Sequence, residues 1–251
     1  MTRIVVISDT HGKHGAPLPD GDVLIHCGDF CSHGQYKDAI QFLGWFQAQP
    51  HQRKIFIAGN HDLVFEQGSY HDIEMLTHIF LNDSTHYLND SGINLFGINF
   101  WGSPVQPRFF NWAFNRDRGA DIKKHWDKIP SGTDVLITHG PPYKILDEAP
   151  RWNFGSYENV GCKDLLDKVL KVKPKLHVFG HIHASGGQTF STDHTIYANA
   201  SICTEEYAPL NKPFIFDIDE NKNIDIINIH QHESKKHQQR SLYGRGKEYY
   251  S

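Results

Sequence analysis

Basic residues are not in excess in this sequence. Its 251 residues include 25 lysines and arginines against 29 aspartates and glutamates, so the formal net charge is -4. A protein that coats nucleic acid or an anionic membrane carries a clear basic excess, because it must neutralise a polyanion. We therefore expect neither a membrane nor an obligate nucleic acid as a partner of this chain.

Long apolar runs and cysteines are also scarce. Segments such as residues 4–7 are far shorter than the roughly 20 apolar residues that span a bilayer, and the N-terminus shows no signal-peptide pattern. The four cysteines are too few and too scattered for a disulfide scaffold, so we expect them to be small buried side chains. Together these features predict a cytoplasmic protein.

The composition is that of an ordinary globular domain, with 39% hydrophobic and 22% charged residues. No repeat and no linker-like segment divides it. Residues 231–251 are polar and lack periodicity, which is typical of a flexible tail. We therefore expect one domain over residues 1–230, followed by a tail over residues 231–251.

Apolar periodicity divides the domain into strands and helices, whose alternation indicates a layered α/β fold. The last third contains strands without a helix between them, and an aromatic and arginine-rich loop with two prolines occupies residues 102–119. The predicted strands are residues 3–8, 22–27, 53–58, 92–101 with a turn at Gly97, 134–138, 176–179, 195–199, 213–218 and 224–229; the predicted helices are residues 36–49, 72–80, 121–128 and 159–172.

Histidine is abundant, with 18 residues, and much of it lies in polar clusters that directly follow apolar runs. In a layered α/β fold the loops at the carboxyl ends of strands converge on one rim, so these clusters are expected to meet. The clusters are SDTHG with Asp9 and His11, CGD with Asp29, GNHD with Asn60, His61 and Asp62, THGPP with His139, and GHIH with His181 and His183.

Each cluster alone is weak evidence, because a single loop aspartate or histidine is usually solvated or caps a turn. Together, two aspartates, one asparagine and four histidines supply seven ligands, more than one small ion uses. Carboxylate, amide and imidazole without thiolate suit Mn, Fe, Zn, Co or Ni better than Ca or Mg. We expect two divalent first-row transition-metal ions, with manganese as the first choice.

The order of these motifs, D-x-H, GD, GNHD, H and GHxH, resembles the calcineurin-like metallophosphoesterases. Longer stretches, among them FNWAFNRDRG, IPSGTDVLITHGPP and KPKLHVFGHIHASGG, resemble the branch of metallophosphoesterase domain-containing proteins, which is associated with phosphodiesterase activity. With the strand-rich last third, the resemblance implies a four-layer αββα sandwich of two mixed sheets flanked by helices.

The resemblance also implies a role for each motif residue. Asp9, His11 and His183 would hold one ion, Asn60, His139 and His181 the other, and Asp29 would bridge the two. Such a bridge holds two ions roughly 3.5 to 4 Å apart, so that one hydroxide can lie between them and attack the phosphorus in line. His61 would protonate the leaving oxygen, and Asp62 would hold the His61 imidazole in one tautomer.

The loop over residues 102–119 has two readings. Arg108, Arg116 or Arg118 would bind the phosphate while the loop aromatics stack on a base, or the loop would simply pack on the surface with solvated arginines.

The sequence favours hydrolysis of a small-molecule phosphodiester, with nucleotides and in particular cyclic nucleotides among the candidates. A phosphomonoesterase or protein phosphatase with the same two-metal site is the alternative among enzymes. A non-catalytic binding scaffold is the alternative from another class. All the motif residues are present, which favours an enzyme. The oligomeric state is left open.

Overall fold

A computed structural model describes residues 1–151 and 156–227. The expected tail, residues 231–251, lies outside the described residues, as do the last two residues of the strand predicted over 224–229. The strands are β1 (Thr2–Ile7), β2 (Val23–His26), β3 (Arg53–Phe56), β4 (Thr85–Tyr87), β5 (Ser91–Leu95), β6 (Ile98–Ser103), β7 (Gln106–Pro107), β8 (Asn115–Arg116), β9 (Val135–Thr138), β10 (Glu148–Pro150), β11 (Tyr157–Asn159), β12 (Leu176–Phe179), β13 (Gln188–Ser191), β14 (Ile196–Asn199), β15 (Phe214–Ile218) and β16 (Ile224–Ile226). The helices are α1 (Tyr36–Gln47), α2 (Val64–Gln67), α3 (Tyr70–Phe80), α4 (Ala120–Trp126) and α5 (Lys163–Val172), with a 3-10 turn at His183–Ser185.

Two six-stranded mixed sheets form the centre of the fold. The first has the order β16-β15-β1-β2-β3-β4 and the second the order β13-β14-β12-β9-β6-β5. In each sheet the four strands that carry or flank the polar clusters run parallel. Antiparallel pairing adds β15 and β16 on one side of the first sheet, and β13 and β5 on the two sides of the second. The carboxyl ends of the parallel strands therefore lie side by side along one rim of each sheet.

Successive side chains of a strand point to opposite faces of its sheet, so each strand contributes to two different hydrophobic cores. In β1, Ile4 and Val6 pack between the sheets, whereas Val5 and Ile7 pack with Phe42 of α1 on the outer face. On the other outer face, Trp126 of α4 and Leu165 of α5 pack in a third core. This period of two is the expected result of burying both faces of a strand. The predicted αββα sandwich is confirmed.

Three predicted elements differ from the observed ones. The run over residues 92–101 is a hairpin of β5 and β6, because Phe96 and Gly97 have positive φ and reverse the chain. The helix predicted over 159–172 begins only at Lys163, since Asn159 pairs in β11 with β10 and the backbone at Cys162 is still extended. The proline-containing loop includes two very short paired strands, β7 and β8.

All four cysteines are free and buried, as the sequence predicted. Across residues 1–151 and 156–227, no helix has the length and apolar character needed to cross a lipid bilayer.

Candidate metal centre

The polar clusters meet at the edge where β1, β2, β3, β9 and β12 end, so the expectation of a shared rim is confirmed. Nε2 of His11 lies 3.2 Å from Nε2 of His183, although the two residues are far apart in the chain. The rim is closed by the bridge between Ser8 and Ser201, which joins the end of β1 to the residues after β14. The first sheet supplies the clusters containing Asp9, His11, Asp29, Asn60, His61 and Asp62, and the second sheet supplies those containing His139, His181 and His183.

Asp9, His11 and His183 form the first group of candidate ligands, with one donor atom of each within 4.8 Å of the others. Nδ1 of His11 contacts the Cys31 carbonyl at 3.3 Å, and Nδ1 of His183 contacts the Thr204 carbonyl at 2.9 Å. A carbonyl accepts only from a protonated nitrogen, so each Nδ1 carries a hydrogen and Nε2 is the ring nitrogen that faces the centre. Histidine ligands in metal sites are commonly fixed in this way.

Asp29, His139 and His181 form the second group, again within 4.8 Å of one another. Nδ1 of His139 contacts the carbonyl of Cys27 at 3.0 Å, which turns Nε2 toward Oδ1 of Asn60 at 2.9 Å. Asn60 thus joins this group through its amide oxygen.

Asp29 lies between the two groups. Its Oδ1 accepts a hydrogen bond from the backbone amide of His61 at 2.7 Å. Its Oδ2 lies 3.4 Å from Nε2 of His139 and 3.9 Å from Nε2 of His11. One carboxylate oxygen therefore faces donors of both groups, the arrangement required of a bridging ligand.

The buried carboxylates of this centre favour the binding of cations. Burial acts to raise the pKa of the Asp9 and Asp29 carboxyls, but interactions with His183 and His139 hold both pKa values well below their usual range. Burial likewise opposes the charged form of His139, yet Asp29 raises the pKa of this imidazole to about 9. Among the described residues, the ion-pair partners of these two buried anions are all imidazole rings. Divalent ions would compensate the same negative charge when bound.

Two of the other rings, those of His11 and His181, are suited to be neutral ligands. Burial lowers the pKa of His11 to about 4 and that of His181 to about 3. A neutral imidazole has the free lone pair that a metal ion needs. The donor set therefore fits two divalent transition-metal ions.

Glycines in the motifs are required by close packing around the carboxylates. A Cβ on Gly180 would lie 1.9 Å from Oδ2 of Asp9, and one on Gly59 would lie 2.3 Å from Oδ1 of Asp29. Both distances are far below any contact that a real Cβ makes. Any side chain at these two positions would displace a candidate ligand.

Four candidate ligands have left-handed backbone conformations, which are uncommon outside glycine. Asp9, His11, Asp29 and His181 have φ values of 53°, 45°, 57° and 67°. Each such residue costs on the order of 1–3 kcal/mol and persists only where its surroundings enforce it. Here the amide of Asp9 donates to Gly28, that of His11 to Asp29, and that of His181 to the Asp9 carboxylate. Strain of this kind is characteristic of functional sites.

The predicted pairing of His61 with Asp62 is wrong. Nδ1 of His61 contacts the carbonyl of Ser32 at 2.8 Å, which fixes the tautomer. Asp62 instead accepts hydrogen bonds from the amides of Asp29, Cys31 and Gly59. Burial and the charge of Asp29 raise the pKa of Asp62 to about 8. Asp62 therefore holds the loops after β2 and β3 together and does not orient the His61 ring.

The three predicted phosphate-binding arginines are engaged elsewhere. Arg108 pairs with Asp117 at 2.7 Å, and Arg116 pairs with Glu66 at 2.8 Å. Arg118 donates to the backbone carbonyls of Val160 and Gly161. These contacts tie the loop to neighbouring segments, in agreement with the packing alternative rather than with phosphate binding.

Aromatic side chains border the cluster. The ring of Phe109 is 5.6 Å from that of His181, and Trp112 stacks on His61 at 4.1 Å, so this part of the loop does reach the site. Tyr207 approaches from the other side, 4.9 Å from His11 and 5.1 Å from His183. Sequence reasoning missed Tyr207, because it follows β14 at a distance and belongs to no periodic pattern.

Comparison with known proteins gives the family. The profile of the calcineurin-like phosphoesterases matches residues 2–185. The chain belongs to this family. Human metallophosphoesterase domain-containing protein 1 is 39% identical over 241 residues, which is 88% of this chain and 72% of the relative. A UPF0046 protein of Caenorhabditis elegans is 37% identical over 223 residues, covering 85% of this chain and 74% of the relative.

Solved structures share the fold at low identity. Phosphopantetheinyl hydrolase from Mycobacterium tuberculosis superposes with a TM-score of 0.53 at 13% identity, over 81% of this chain and 90% of the other. A purple acid phosphatase from yellow lupin (Lupinus luteus) superposes with a TM-score of 0.51 at 14% identity, over 86% of this chain and 49% of the other. Family membership supports a phosphoester hydrolase, and this family binds a two-metal centre of the kind that the donor set fits.

Proposed function

We propose that this chain hydrolyses phosphodiesters with two divalent metal ions. Asp9, His11 and His183 hold one ion, Asn60, His139 and His181 hold the other, and Asp29 bridges them. The observation that carries the proposal is the convergence of donor atoms from both sheets, with Nδ1 of three histidines held by backbone carbonyls.

Manganese is the first choice of metal, with Fe, Zn, Co and Ni as alternatives. The nitrogen and oxygen donors suit these ions. Burial raises the pKa of the nearby Cys27 and Cys31 thiols, so thiolates do not compete as ligands. Four free cysteines also agree with a cytoplasmic location, where thiols stay reduced.

When bound, the ions supply positive charge for the phosphate oxygens and lower the pKa of a water molecule so that it can attack at neutral pH. The side chains of the protein position the ions and transfer the proton. Asp29 fixes the geometry of both ligand groups. His61 acts as an imidazolium: its Nδ1–H is held by the Ser32 carbonyl, and its Nε2–H donates a proton to the leaving oxygen, which leaves the neutral imidazole.

Charge favours a diester over a monoester. A phosphodiester carries one negative charge and a phosphomonoester up to two, so a monoesterase profits from an additional cation at the phosphate. Arg108 and Arg116 are neutralised by Asp117 and Glu66, and Arg118 is directed at the backbone carbonyls of Val160 and Gly161. This supports a singly charged substrate.

The exposed aromatic rings support a substrate with a planar group. Phe109 and Tyr207 are 42% and 43% exposed beside opposite groups of ligands, which is where an ester substituent would emerge. Nucleotides, including cyclic nucleotides, are small phosphoesters of this type.

The test is a pair of assays on the purified protein with added Mn²⁺, preceded by metal analysis. We expect two bound ions per chain and a kcat/KM for bis(p-nitrophenyl) phosphate above that for p-nitrophenyl phosphate. The opposite preference would favour the phosphomonoesterase alternative. Two ions without turnover of either ester would favour a binding scaffold.

A further inference from the structure

Trp112 lies flat on His61. The ring centroids are 4.1 Å apart and the planes differ by 24°. The His11 ring lies edge-to-face with the same imidazole, with 4.7 Å between the ring centroids and an interplanar angle of 81°. His61 is therefore held by an indole, by a second imidazole and, through Nδ1, by the Ser32 carbonyl.

Trp112 is itself held to the metal centre by its neighbours in the chain. The amide of Ala113 donates to the carbonyl of Asn60 at 3.1 Å. The amide of Phe114 donates to the Glu66 carboxylate, whose other oxygen pairs with Arg116 at 2.8 Å. These bonds fix the backbone on the C-terminal side of Trp112 relative to the loop that carries Asn60 and His61.

We propose that Trp112 is a positioning residue for His61. The hydrogen bond to Ser32 fixes one nitrogen of the imidazole but leaves the ring able to swing about that contact. A stacked indole removes this freedom and keeps Nε2 directed at the leaving oxygen. The inference rests on the proposed function, since it assumes that His61 acts on the leaving group.

Misplacing a catalytic group by about 1 Å can lower the rate on the order of 100-fold. We expect Trp112→Ala to lower kcat about 10- to 100-fold on a diester with a poor leaving group, with little change in KM. The loss should be smaller on an ester whose leaving group departs without a proton. Trp112→Phe keeps an aromatic face and should restore most of the rate.

The experiment compares Trp112→Ala, Trp112→Phe, His61→Ala and the double variant Trp112→Ala/His61→Ala on diphenyl phosphate and bis(p-nitrophenyl) phosphate. We expect both ions to stay bound in each variant and the double variant to be no slower than His61→Ala. The matched control is Trp45→Ala, because Trp45 stacks on His14 at 5.3 Å in another part of the fold. The control should leave the ratio of the two rates unchanged.

A second readout needs neither metal nor substrate. In the metal-free protein the indole ring current should shift the His61 ring protons upfield in the NMR spectrum. Trp112→Ala should move these signals downfield, and the signals are assigned by their loss in His61→Ala.

Equal losses on the two esters, additive effects in the double variant, or an unchanged NMR signal in Trp112→Ala would overturn the inference. If His61→Ala itself shows no dependence on the leaving group, the proposed role of His61 fails instead. The two failures are therefore distinguishable.

Discussion

The backbone amide of His61 donates to Oδ1 of Asp29 at 2.7 Å, which leaves Oδ2 as the oxygen that faces both groups of histidines. Oδ1 of Asp29 therefore accepts the backbone hydrogen bond, while Oδ2 faces the histidines. It also joins the cluster after β2 to the cluster after β3.

Asp29→Asn should therefore lose at least one metal equivalent and nearly all turnover. Removing the shared charge leaves two cations that repel each other with less to hold them together. Metal analysis after dialysis and a diester assay measure the effect. Asp193→Asn, at an exposed position, is the control. Two retained ions and normal activity in Asp29→Asn would remove the bridging assignment.

The candidate ligands were predictable from the sequence because each follows an apolar strand, and parallel strands bring their carboxyl ends together. Their backbone support was not predictable. The backbone carbonyls of Ser32 and Thr204 hold His61 and His183, and every residue has such a carbonyl whatever its side chain. Nothing in the sequence indicates which carbonyl a histidine will meet.

Long-range partners explain why two of the three arginines in the aromatic loop do not reach the site. Arg116 pairs with Glu66, 50 residues earlier in the chain, and Arg118 with carbonyls more than 40 residues later. An arginine in a loop is expected to bind an anion or a hydrogen-bond acceptor, but the loop sequence does not show which residue or ligand provides it. The start of α5 was predicted too early for a different reason: the apolar pattern continues back to Val160, which lies before the helix.

Gly180→Ala should damage the first ligand group. The added Cβ would lie 1.9 Å from Oδ2 of Asp9 and 2.2 Å from Oγ of Ser8, so the carboxylate must move. We expect metal affinity to fall about 10- to 100-fold, as for other changes that misalign ligands. Calorimetric titration with Mn²⁺ measures this. Gly132→Ala, where a Cβ meets nothing within 4 Å, is the control and should bind as the unchanged protein does. Equal affinities of the two variants would contradict the steric argument.

Asp90 should make stability depend on pH in the acid range. Burial acts to raise its pKa, but hydrogen bonds from Lys128, Ser103 and His125 outweigh burial and hold the pKa below its ordinary value of 3.8. A carboxyl with a depressed folded-state pKa stabilises the protein above its unfolded pKa and loses that contribution as the pH falls through the folded value.

Asp90→Asn should therefore lower the free energy of unfolding by about 1–3 kcal/mol at pH 7, as expected for hydrogen bonds to a charged group. The difference from the unchanged protein should shrink as the pH falls below 3.8. Urea denaturation at several pH values gives both quantities. A difference that is constant with pH would show that the charge of Asp90 is not what stabilises this contact.

His61 lies close enough to be mistaken for a ligand, because donor atoms of His11, Asp29 and His61 lie within 4.8 Å of one another. A carbonyl-held Nδ1 does not separate His61 from the ligand histidines, but the face of its ring is covered by Trp112, and the two proposed ligand sets are complete without it. His61→Ala should therefore retain both ions. His181→Ala should lose one ion, because His181 belongs to the second ligand group. The neighbouring Gly180 has no room for a side chain that could replace the lost ligand. Metal content measured for the two variants side by side, after the same dialysis, decides between the roles. Equal loss of metal from both would make His61 a ligand and would exclude its assignment to the leaving group.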